Sequence, residues 1–377
     1  MINKDKIIAC FLLHAVGDTI GFRDSIWEFN GGTPDMTVAN WNYTYEIISQ
    51  FIELGGINDI DLTDWMISDD TLLHIMLSRV IIKNEKNKNN NPIEIADAFA
   101  QSLKKNGRHN LSGRYPGNIT TKAVEMLEAG EDWKTFAYRK TAGGSGASMR
   151  TPIIGIMYNG EKNRQKLIEI ALETSRVTHN NAIGYLGGIT TALFSAFIIE
   201  GKKLEQFPFL LIDILESGII ENYLKKTRGI KEYSMEKDIF INKWRRYIED
   251  RFEKDKNGEY VIVYNKSMRN LSYRMRYYYE NYGYKESTEI FPGSGGDDSV
   301  IISYDCLLDS RDSWEKLVFY TMLSVGDSDT LGCIAGSWYG LLYGLNKVPK
   351  NNYKNLEYKK EIIETAQNTV KILYKTQ

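Results

Sequence analysis

Ala-Ile-Gly-Tyr-Leu-Gly-Gly-Ile-Thr-Thr-Ala-Leu-Phe-Ser-Ala-Phe-Ile-Ile, residues 182–199, is a stretch without a charged side chain in the middle of the chain. Its length would allow a helix to cross a membrane. Glycine, threonine and serine recur within it, however, and small residues let neighbouring backbones approach closely, as a core built only of helices requires. The stretch therefore predicts a buried central helix and no membrane span.

Helical patterns extend outward from this stretch in both directions. Leu331–Leu345 is similarly rich in small residues, and apolar residues recur at helical spacing over Ile7–Val16, Leu72–Ile81 and Trp314–Met322. Gly17 is predicted to end the first of these helices. Only 7 prolines occur in the chain, which favours long helices. The pattern predicts an all-α fold.

Strand signals are few. Glu259–Tyr264 follows Asn257-Gly258, a turn dipeptide that predicts one arm of a small hairpin. Leu224–Lys285 is rich in tyrosine and charge, and we expect solvated helices with aromatic inner faces there. The polar run Lys83–Asn91 predicts an exposed loop. Because we find neither an internal repeat nor a Pro/Gly/Ser linker, we expect a single compact domain over residues 1–377.

Composition limits the classes of function. The chain has 377 residues and a net charge of −2, and this balance argues against a duplex nucleic-acid binder, which usually carries a basic excess. A hydrophobic fraction of 42% and a charged fraction of 25% are typical of a globular protein. The cysteines Cys10, Cys306 and Cys333 cannot form a disulfide framework, and the N-terminus lacks a signal-peptide pattern. We expect a cytoplasmic protein.

Two acidic clusters each precede a helical pattern: Ser68-Asp69-Asp70-Thr71 and Gly326-Asp327-Ser328-Asp329-Thr330. Ser and Asp at a helix start accept backbone N–H bonds, which accounts for one or two of the residues in the first cluster. Carboxylate and hydroxyl oxygens are also the ligands that hard cations prefer. Four converging carboxylates would repel one another by several kcal/mol unless divalent cations neutralised them. We predict a two-cation site, which requires the two ends of the chain to fold together.

Three glycine-rich loops accompany the acidic clusters: Gly113–Gly117, Gly143–Arg150 and Gly293–Asp298. None has the spacing of a P-loop or of a dinucleotide-binding fingerprint. In combination with the acidic clusters they indicate a ligand that carries phosphates. The chain contains only 4 histidines, and we interpret His179 as a hydrogen-bonded structural residue. With no recognisable serine or cysteine nucleophile motif, the chemistry is assigned to carboxylates.

Taken in order along the chain, these segments resemble the ADP-ribosylglycohydrolases, and most closely the branch of ADP-ribosylarginine hydrolases. The further matching segments are Ala15–Gly21, Trp27–Phe29, Thr178-His179 with Gly184–Gly187, and Leu356–Tyr358. The resemblance implies an all-α, compact orthogonal helical bundle with two Mg²⁺ ions. It implies hydrolysis of the N-glycosidic bond between ADP-ribose and arginine side chains of proteins by a metal-oriented water. ADP-ribosylated proteins would be the partners and ADP-ribose the product.

The resemblance also assigns residues to roles. The metal ligands would be Ser68, Asp69, Asp70, Asp327, Asp329 and Thr330. The catalytic residues would be Asp69 or Asp70, as the base that accepts a proton from the water, and Glu28 on a loop near the metals. The residues that bind the ADP-ribosyl group would be Gly117, Gly143, Gly144, Ser145, Gly146, Ala147, Ser148, Met149, Phe291, Gly293, Ser294, Gly296 and Asp298.

Three positions depart from the pattern of that branch. Phe291 and Asp297 stand where the branch has a Trp and a His, and Ser145 stands where it has a Cys. Phe291 still offers a ring that can stack on a base. Asp297 removes a neutral donor and adds a negative charge near the nucleotide, which puts the ADP-ribose contacts in question more than the metal site. Thiol sensitivity through position 145 is not expected.

Two alternative functions stay open at this point. The metal motif is shared with hydrolases that act on ADP-ribosylserine or on ADP-ribose metabolites, whereas Trp27-Glu28-Phe29 and the C-terminal segment favour the arginine branch. A catalytically silent ADP-ribose-binding protein is the other alternative, although all six ligand positions keep oxygen side chains. We expect a monomer that binds neither nucleic acid nor membranes.

Overall fold

The computed structural model describes residues 3–29, 38–283 and 291–374. Its α-helices, numbered here in chain order, are α1 (Lys4–Phe22), α2 (Val38–Glu53), α3 (Gly56–Asp59), α4 (Asp69–Lys86), α5 (Pro92–Leu111), α6 (Asn118–Glu128), α7 (Pro152–Met157), α8 (Arg164–Arg176), α9 (Ala182–Ile199), α10 (Phe207–Glu216), α11 (Ile219–Lys226), α12 (Ile230–Arg251), α13 (Leu271–Asn281), α14 (Asp298–Ser310), α15 (Trp314–Thr321), α16 (Ser328–Tyr343), α17 (Asn351–Lys354) and α18 (Lys359–Leu373). The all-α prediction is confirmed.

The predicted hairpin is present. Strand β1 (Phe252–Lys254) pairs antiparallel with β2 (Tyr260–Ile262), so that Phe252 lies opposite Ile262. Asp255 closes the turn by accepting the N–H groups of Asn257 at 2.8 Å and of Glu259 at 2.9 Å. The turn dipeptide therefore identified the hairpin correctly.

Helix α9 is the apolar segment 182–199, and it lies inside the fold with 94% of its span buried. Its small residues allow the close approach that the sequence predicts. A Cβ on Gly155 of α7 would lie 2.0 Å from the carbonyl oxygen of Ala192. Trp338 of α16 donates its indole N–H to Ser195 Oγ at 3.2 Å. Helix α9 is thus the central helix of the core.

Helices α1 and α16 come from opposite ends of the sequence and cross in close contact. A Cβ on Gly332 would lie 2.4 Å from the carbonyl oxygen of Gly17, and one on Gly21 would lie 2.3 Å from that of Ser328. The expected meeting of the chain ends is confirmed. The predicted end of the first helix at Gly17 is wrong: α1 continues to Phe22, because Gly17 serves helix packing instead of a cap.

The polar run Lys83–Asn91 is a loop over only part of its length. Helix α4 continues to Lys86, where Asn84 is buried and donates to the carbonyl of Val80 at 2.9 Å. Asn91 caps α5 by accepting the N–H of Ile93 at 3.0 Å. The side chains of Asn84 and Asn91 form hydrogen bonds with backbone groups near the ends of the two helices. A polar composition alone does not distinguish such residues from those of a loop.

Candidate active site

The start of α4 is capped without the side chains of Asp69 and Asp70. Ser68 Oγ accepts the N–H of Asp70 at 3.1 Å. The carboxylate of Asp18, on α1, accepts the N–H groups of Ser68 and Thr71, each at 3.1 Å, and also the Thr71 hydroxyl. The side chains of Asp69 and Asp70 are therefore not needed to cap the helix. Both carboxylates can serve as metal ligands, which gives a reason for two adjacent aspartates at this position.

The start of α16 brings the second acidic cluster against the first. Thr330 donates its hydroxyl to Asp70 Oδ2 at 2.9 Å, and Cys333 Sγ lies 3.2 Å from the same oxygen. Asp329 Oδ1 accepts the N–H of Thr330 at 2.7 Å. Residues 260 positions apart in the sequence thus form one site.

Glu28 completes this site. Its carboxylate and those of Asp327 and Asp329 each offer an oxygen, and these oxygens all lie within 4.8 Å of one another. The segment that carries Glu28 is fixed by the N–H of Phe29, which donates to the carbonyl of Gly326 at 3.0 Å. Phe29 has a left-handed backbone, with φ of 47°. Glu28, to which the family resemblance assigns a catalytic role, therefore lies close enough to the second cluster to share a metal ion with Asp327 and Asp329.

Burial and mutual repulsion raise the pKa of every carboxyl in this cluster. Burial, followed by the charge of Asp18, raises the pKa of Asp69 to about 7. Burial and neighbouring carboxylates raise the pKa well above its usual range for Asp70, Asp329, Asp327 and Glu28. The raised pKa values mean that the ionised forms of these buried carboxylates are not stabilised by a positive charge close by.

A divalent cation fits this donor set. Within the described ranges, none of these five carboxylates forms an ion pair with a Lys, Arg or His side chain. Arg150 favours the charged form of Asp69 only at longer range. Hard oxygen donors that converge without a Lys, Arg or His partner are what a site for an ion such as Mg²⁺ offers. The acidic cluster can hold a metal ion.

An ion pair behind the cluster fixes the segment that leads into α4. Arg114 binds Glu357 through two hydrogen bonds of 2.7 and 2.9 Å. Glu357 accepts the N–H of Ile67 at 2.9 Å, and Arg114 donates to the carbonyl of the same residue at 2.9 Å. The carbonyl of Arg114 accepts the N–H of Asp69 at 3.0 Å. Two of the segments that carry the resemblance, Gly113–Gly117 and Leu356–Tyr358, thus position the turn that begins α4.

The two longer glycine-rich loops are joined by backbone hydrogen bonds. Ser145 N–H donates to the carbonyl of Ser294 at 2.9 Å, and Gly296 N–H donates to that of Gly143 at 2.8 Å. Ser145 Oγ donates to Asp327 Oδ2 at 3.1 Å. We call residues 143–146 and 293–296 together the glycine cradle. It lies directly beside the acidic cluster, as a ligand that spans phosphates and a metal-bound ribose would require.

Other predicted binding residues surround the cradle. Phe291 lies with its ring centroid 5.0 Å from that of Phe29. Gly117 precedes α6, whose Ile119 Cδ1 would lie 3.0 Å from a Cβ on Gly144. Gly293 has φ of +96°, a conformation that glycine adopts without strain.

Some predicted binding residues are fully enclosed. Ala147, Ser148 and Met149 are buried, and the carbonyl of Met149 is bonded to His14. Asp298 is also buried, and its two oxygens accept the N–H groups of Gly293 and Gly295. These positions support the cradle from behind.

The sequence analysis identified the structural role of His179 but not the roles of Arg150 and Asp18. Arg150 is buried, donating to the carbonyl of Gly146 and to the hydroxyl of Thr178, each at 2.8 Å. His179 forms a 2.7 Å hydrogen bond with the same hydroxyl, which confirms its structural role. Asp18 could have been found, because it is the one carboxylate in the apolar stretch 7–22 of α1 and a buried carboxylate requires a partner. Arg150 has no such signal beyond its place in the loop.

The core of helices thus encloses an acidic cluster that can hold a metal ion, and a cradle of glycine backbone lies beside this cluster. The ADP-ribosylglycohydrolase family model matches residues 2–377, and the chain belongs to this family. The chain is 33% identical to ADP-ribosylhydrolase ARH1 of Dictyostelium discoideum over 389 residues, which cover 96% of this chain and 93% of the relative.

Two further comparisons agree. The chain is 36% identical over 359 residues to a protein of Acanthamoeba polyphaga mimivirus provisionally named ADP-ribosyl glycohydrolase L444, covering 94% of this chain and 67% of that protein. A solved structure, an ADP-ribosylglycohydrolase-related protein complex, superposes with a TM-score of 0.55 at 16% identity, covering 98% of each chain. This structural likeness supports the fold alone.

Proposed function

We propose that the protein is a magnesium-dependent ADP-ribosylarginine hydrolase that releases ADP-ribose from arginine side chains of proteins. The observation that carries the proposal is the direct contact between the acidic cluster and the glycine cradle, through Ser145 and Asp327. A ligand bound across both would place a sugar at the cations and phosphates against backbone N–H groups. Similarity to a relative named ADP-ribosylhydrolase ARH1 supports the same class of reaction.

The acidic residues supply the binding of cations and the transfer of a proton. Two Mg²⁺ ions, held by Ser68, Asp69, Asp70, Asp327, Asp329 and Thr330, would supply Lewis-acid chemistry at the ribose and its attacking water. Asp69 or Asp70 accepts the proton of that water. The water forms a C–O bond to the anomeric carbon as the C–N bond to arginine breaks, through an oxocarbenium-like transition state as in glycoside hydrolysis generally, and the departing guanidine takes up a proton from a nearby acid or from bulk water.

Glu28 has a position that fits either of two roles. Its carboxylate reaches the oxygens of Asp327 and Asp329, so that it can bind a cation directly. Glu28 also lies outside the two segments that carry the aspartates of the cluster. The next residue along the chain, Phe29, packs on Phe291. Glu28 therefore links the cluster to the residue proposed to stack on the base.

The cradle binds the ADP portion. The N–H groups of residues 293–296 all form hydrogen bonds within the fold, so that a backbone donor for a phosphate oxygen belongs to the first loop, residues 143–146. Arg150 and His179 hold the first loop from behind, and Asp298 holds the second. The buried residues Ala147, Ser148 and Met149 then contribute by fixing the loop.

The arginine linkage is the finer part of the proposal. ADP-ribosylhydrolases named ARH3 also resemble the chain, for example the human protein at 21% identity over 82% of this chain. A hydrolase for another ADP-ribosyl linkage is therefore the alternative to test. We further propose that the enzyme acts as a monomer in the cytoplasm.

Product analysis tests the proposal. Purified protein is incubated with Mg²⁺ and, in parallel, with ADP-ribosylarginine and ADP-ribosylserine peptides. We expect ADP-ribose and unmodified arginine peptide, with the serine peptide unchanged. Cleavage of the serine peptide alone would contradict the arginine assignment, and binding of ADP-ribose without any cleavage would indicate a silent binding protein. Calorimetry with Mg²⁺ then shows whether the acidic cluster binds this ion.

A further inference from the structure

Lys243 of α12 forms an ion pair with Asp297, at the end of the glycine cradle. Its Nζ lies 2.5 Å from Asp297 Oδ2, and the side chains are 17% and 1% exposed. The same Nζ donates to the carbonyl of Tyr282 at 2.9 Å. A carboxylate buried to this extent requires a partner, because taking an unpaired charge out of water is costly. Lys243 supplies that partner from the tyrosine-rich segment.

Asp297 is one of two adjacent buried carboxylates. Asp297 Oδ1 accepts the N–H of Asp298 at 2.9 Å, and Asp298 in turn accepts the N–H groups of Gly293 at 2.9 Å and of Gly295 at 2.8 Å. Both negative charges therefore stand within the loop that the proposed function assigns to a diphosphate. Without a compensating cation they would repel such an anion.

The second loop of the glycine cradle, residues 293–296, is also connected to the acidic cluster. Gly295 and Gly144 form an isolated antiparallel bridge, and the next residue, Ser145, bonds to Asp327. A shift of the second loop would displace the first loop and the hydroxyl at Asp327. Lys243 thus stands at the start of a continuous chain of contacts that ends at the proposed metal site.

We propose that Lys243 is a positioning residue that determines affinity for the ADP-ribosyl group. Its ammonium neutralises Asp297 and halves the negative charge of the pair Asp297–Asp298, so that the cradle accepts the anionic diphosphate while keeping its backbone geometry. This inference rests on the proposed function, because it takes ADP-ribose as the ligand of the cradle. It resolves the question raised by Asp297, since the added negative charge is balanced by a cation from a distant helix.

The test measures binding of ADP-ribose by calorimetry in the presence of Mg²⁺. Lys243→Met should weaken binding by about tenfold or more, because it leaves a buried charge unpaired beside an anion. Lys243→Arg keeps the charge and should stay within about threefold of the parent. Lys237→Met is the matched control, since Lys237 lies on the same helix as Lys243 and forms an ion pair at 2.6 Å with Glu221 of α11. It should bind ADP-ribose like the parent.

A double variant separates compensation of charge from simple loss of structure. Asp297→Asn combined with Lys243→Met removes both charges and should restore affinity to within about threefold of the parent. In turnover assays, Lys243→Met should raise KM by a larger factor than it lowers kcat, because it removes a charge at the cradle and leaves the side chains of the acidic cluster in place. A residue that only stabilises the fold would lower kcat and the thermal midpoint together.

The outcomes are distinguishable. If the parent binds ADP-ribose and Lys243→Met binds it equally well, the inference is overturned and the proposed function stands. If the double variant folds but binds as weakly as Lys243→Met, compensation of charge is likewise refuted. A parent that does not bind ADP-ribose at all would overturn the proposed function and the inference with it.

Discussion

The carboxylate of Asp18 holds the first turn of α4 by accepting both the backbone N–H and the hydroxyl of Thr71. It also accepts the N–H of Ser68, so that both oxygens are occupied. Residues that orient metal ligands from behind typically affect metal affinity or activity by about 10–100-fold. Asp18→Asn should therefore weaken Mg²⁺ binding by about this factor, measured by calorimetry.

The control for Asp18 is Asp61→Asn. Asp61 is also an aspartate that accepts local hydrogen bonds, from the N–H and hydroxyl of Thr63, but it lies at the surface. We expect Mg²⁺ affinity and turnover like those of the parent. Equal Mg²⁺ affinity in Asp18→Asn and the parent would show that the turn keeps its shape without this carboxylate.

Asp70 is expected to be required for turnover. It receives the hydroxyl of Thr330 and the thiol of Cys333 on one oxygen, which joins the two acidic clusters. Asp70→Asn removes a candidate base and a negative charge from the cluster. The release of ADP-ribose from ADP-ribosylarginine should fall by about 100-fold or more. Turnover near the parental rate would refute the role of this residue.

The ion pair between Arg114 and Glu357 is expected to support activity more than stability. Because both side chains are partly exposed, at 15% and 31%, the pair itself stabilises the fold by only about 1 kcal/mol. It also fixes Ile67, next to the metal-binding turn. Glu357→Gln should therefore reduce turnover by about tenfold with a small change in the urea midpoint. A loss of stability without a loss of turnover would contradict this division.

Stability and pH should be linked through the acidic cluster. In the metal-free protein the pKa of Asp69 is raised to about 7 by burial, against about 3.9 in an unfolded chain. The folded state holds the proton more tightly, so this contribution is fully present below about pH 4 and is lost as the pH rises to about 7. Mg²⁺ binds the deprotonated form and should oppose this loss.

Thermal unfolding with and without Mg²⁺ tests this linkage. The increase in the midpoint that Mg²⁺ causes should be larger at about pH 7.5 than at about pH 5.5, because protons compete with the cation at the lower pH. Asp70→Asn should show a smaller increase at both values. An effect of Mg²⁺ that is the same at both pH values would argue against carboxylate ligands of raised pKa.

The crossing of α1 and α16 should not tolerate a side chain at Gly332. A Cβ there would lie 2.4 Å from the backbone oxygen of Gly17, which cannot rotate away. Gly332→Ala should lower the free energy of unfolding by about 3 kcal/mol in urea titrations. Gly107→Ala on α5 meets only Val124 methyl groups, at 3.0 Å, and gains helix propensity, so its effect should stay within about 1 kcal/mol. Similar losses for both variants would contradict the distinction.

Much of the fold was accessible from the sequence because it depends on local patterns. The uncharged segment 182–199 predicted the central helix, and Asn257-Gly258 predicted the hairpin. Errors occurred where a residue served a tertiary purpose. Gly17 was interpreted as the end of a helix because a glycine that packs against another backbone looks the same in the sequence as a glycine that ends a helix.

The sequence by itself determined the types of ligand and the helices that carry them. The acidic clusters 68–71 and 326–330 were recognisable from composition and spacing, and the family resemblance selected from them the candidate ligands Ser68, Asp69, Asp70, Asp327, Asp329 and Thr330. Only the tertiary structure decided which residues hold the acidic clusters in place and which cation pairs with the buried carboxylate of Asp297. Asp18, Arg114 and Lys243 act through contacts with residues far away in the sequence. Such contacts leave no periodic signal, because the need to pair a buried charge specifies the chemistry of a partner and not its position in the chain.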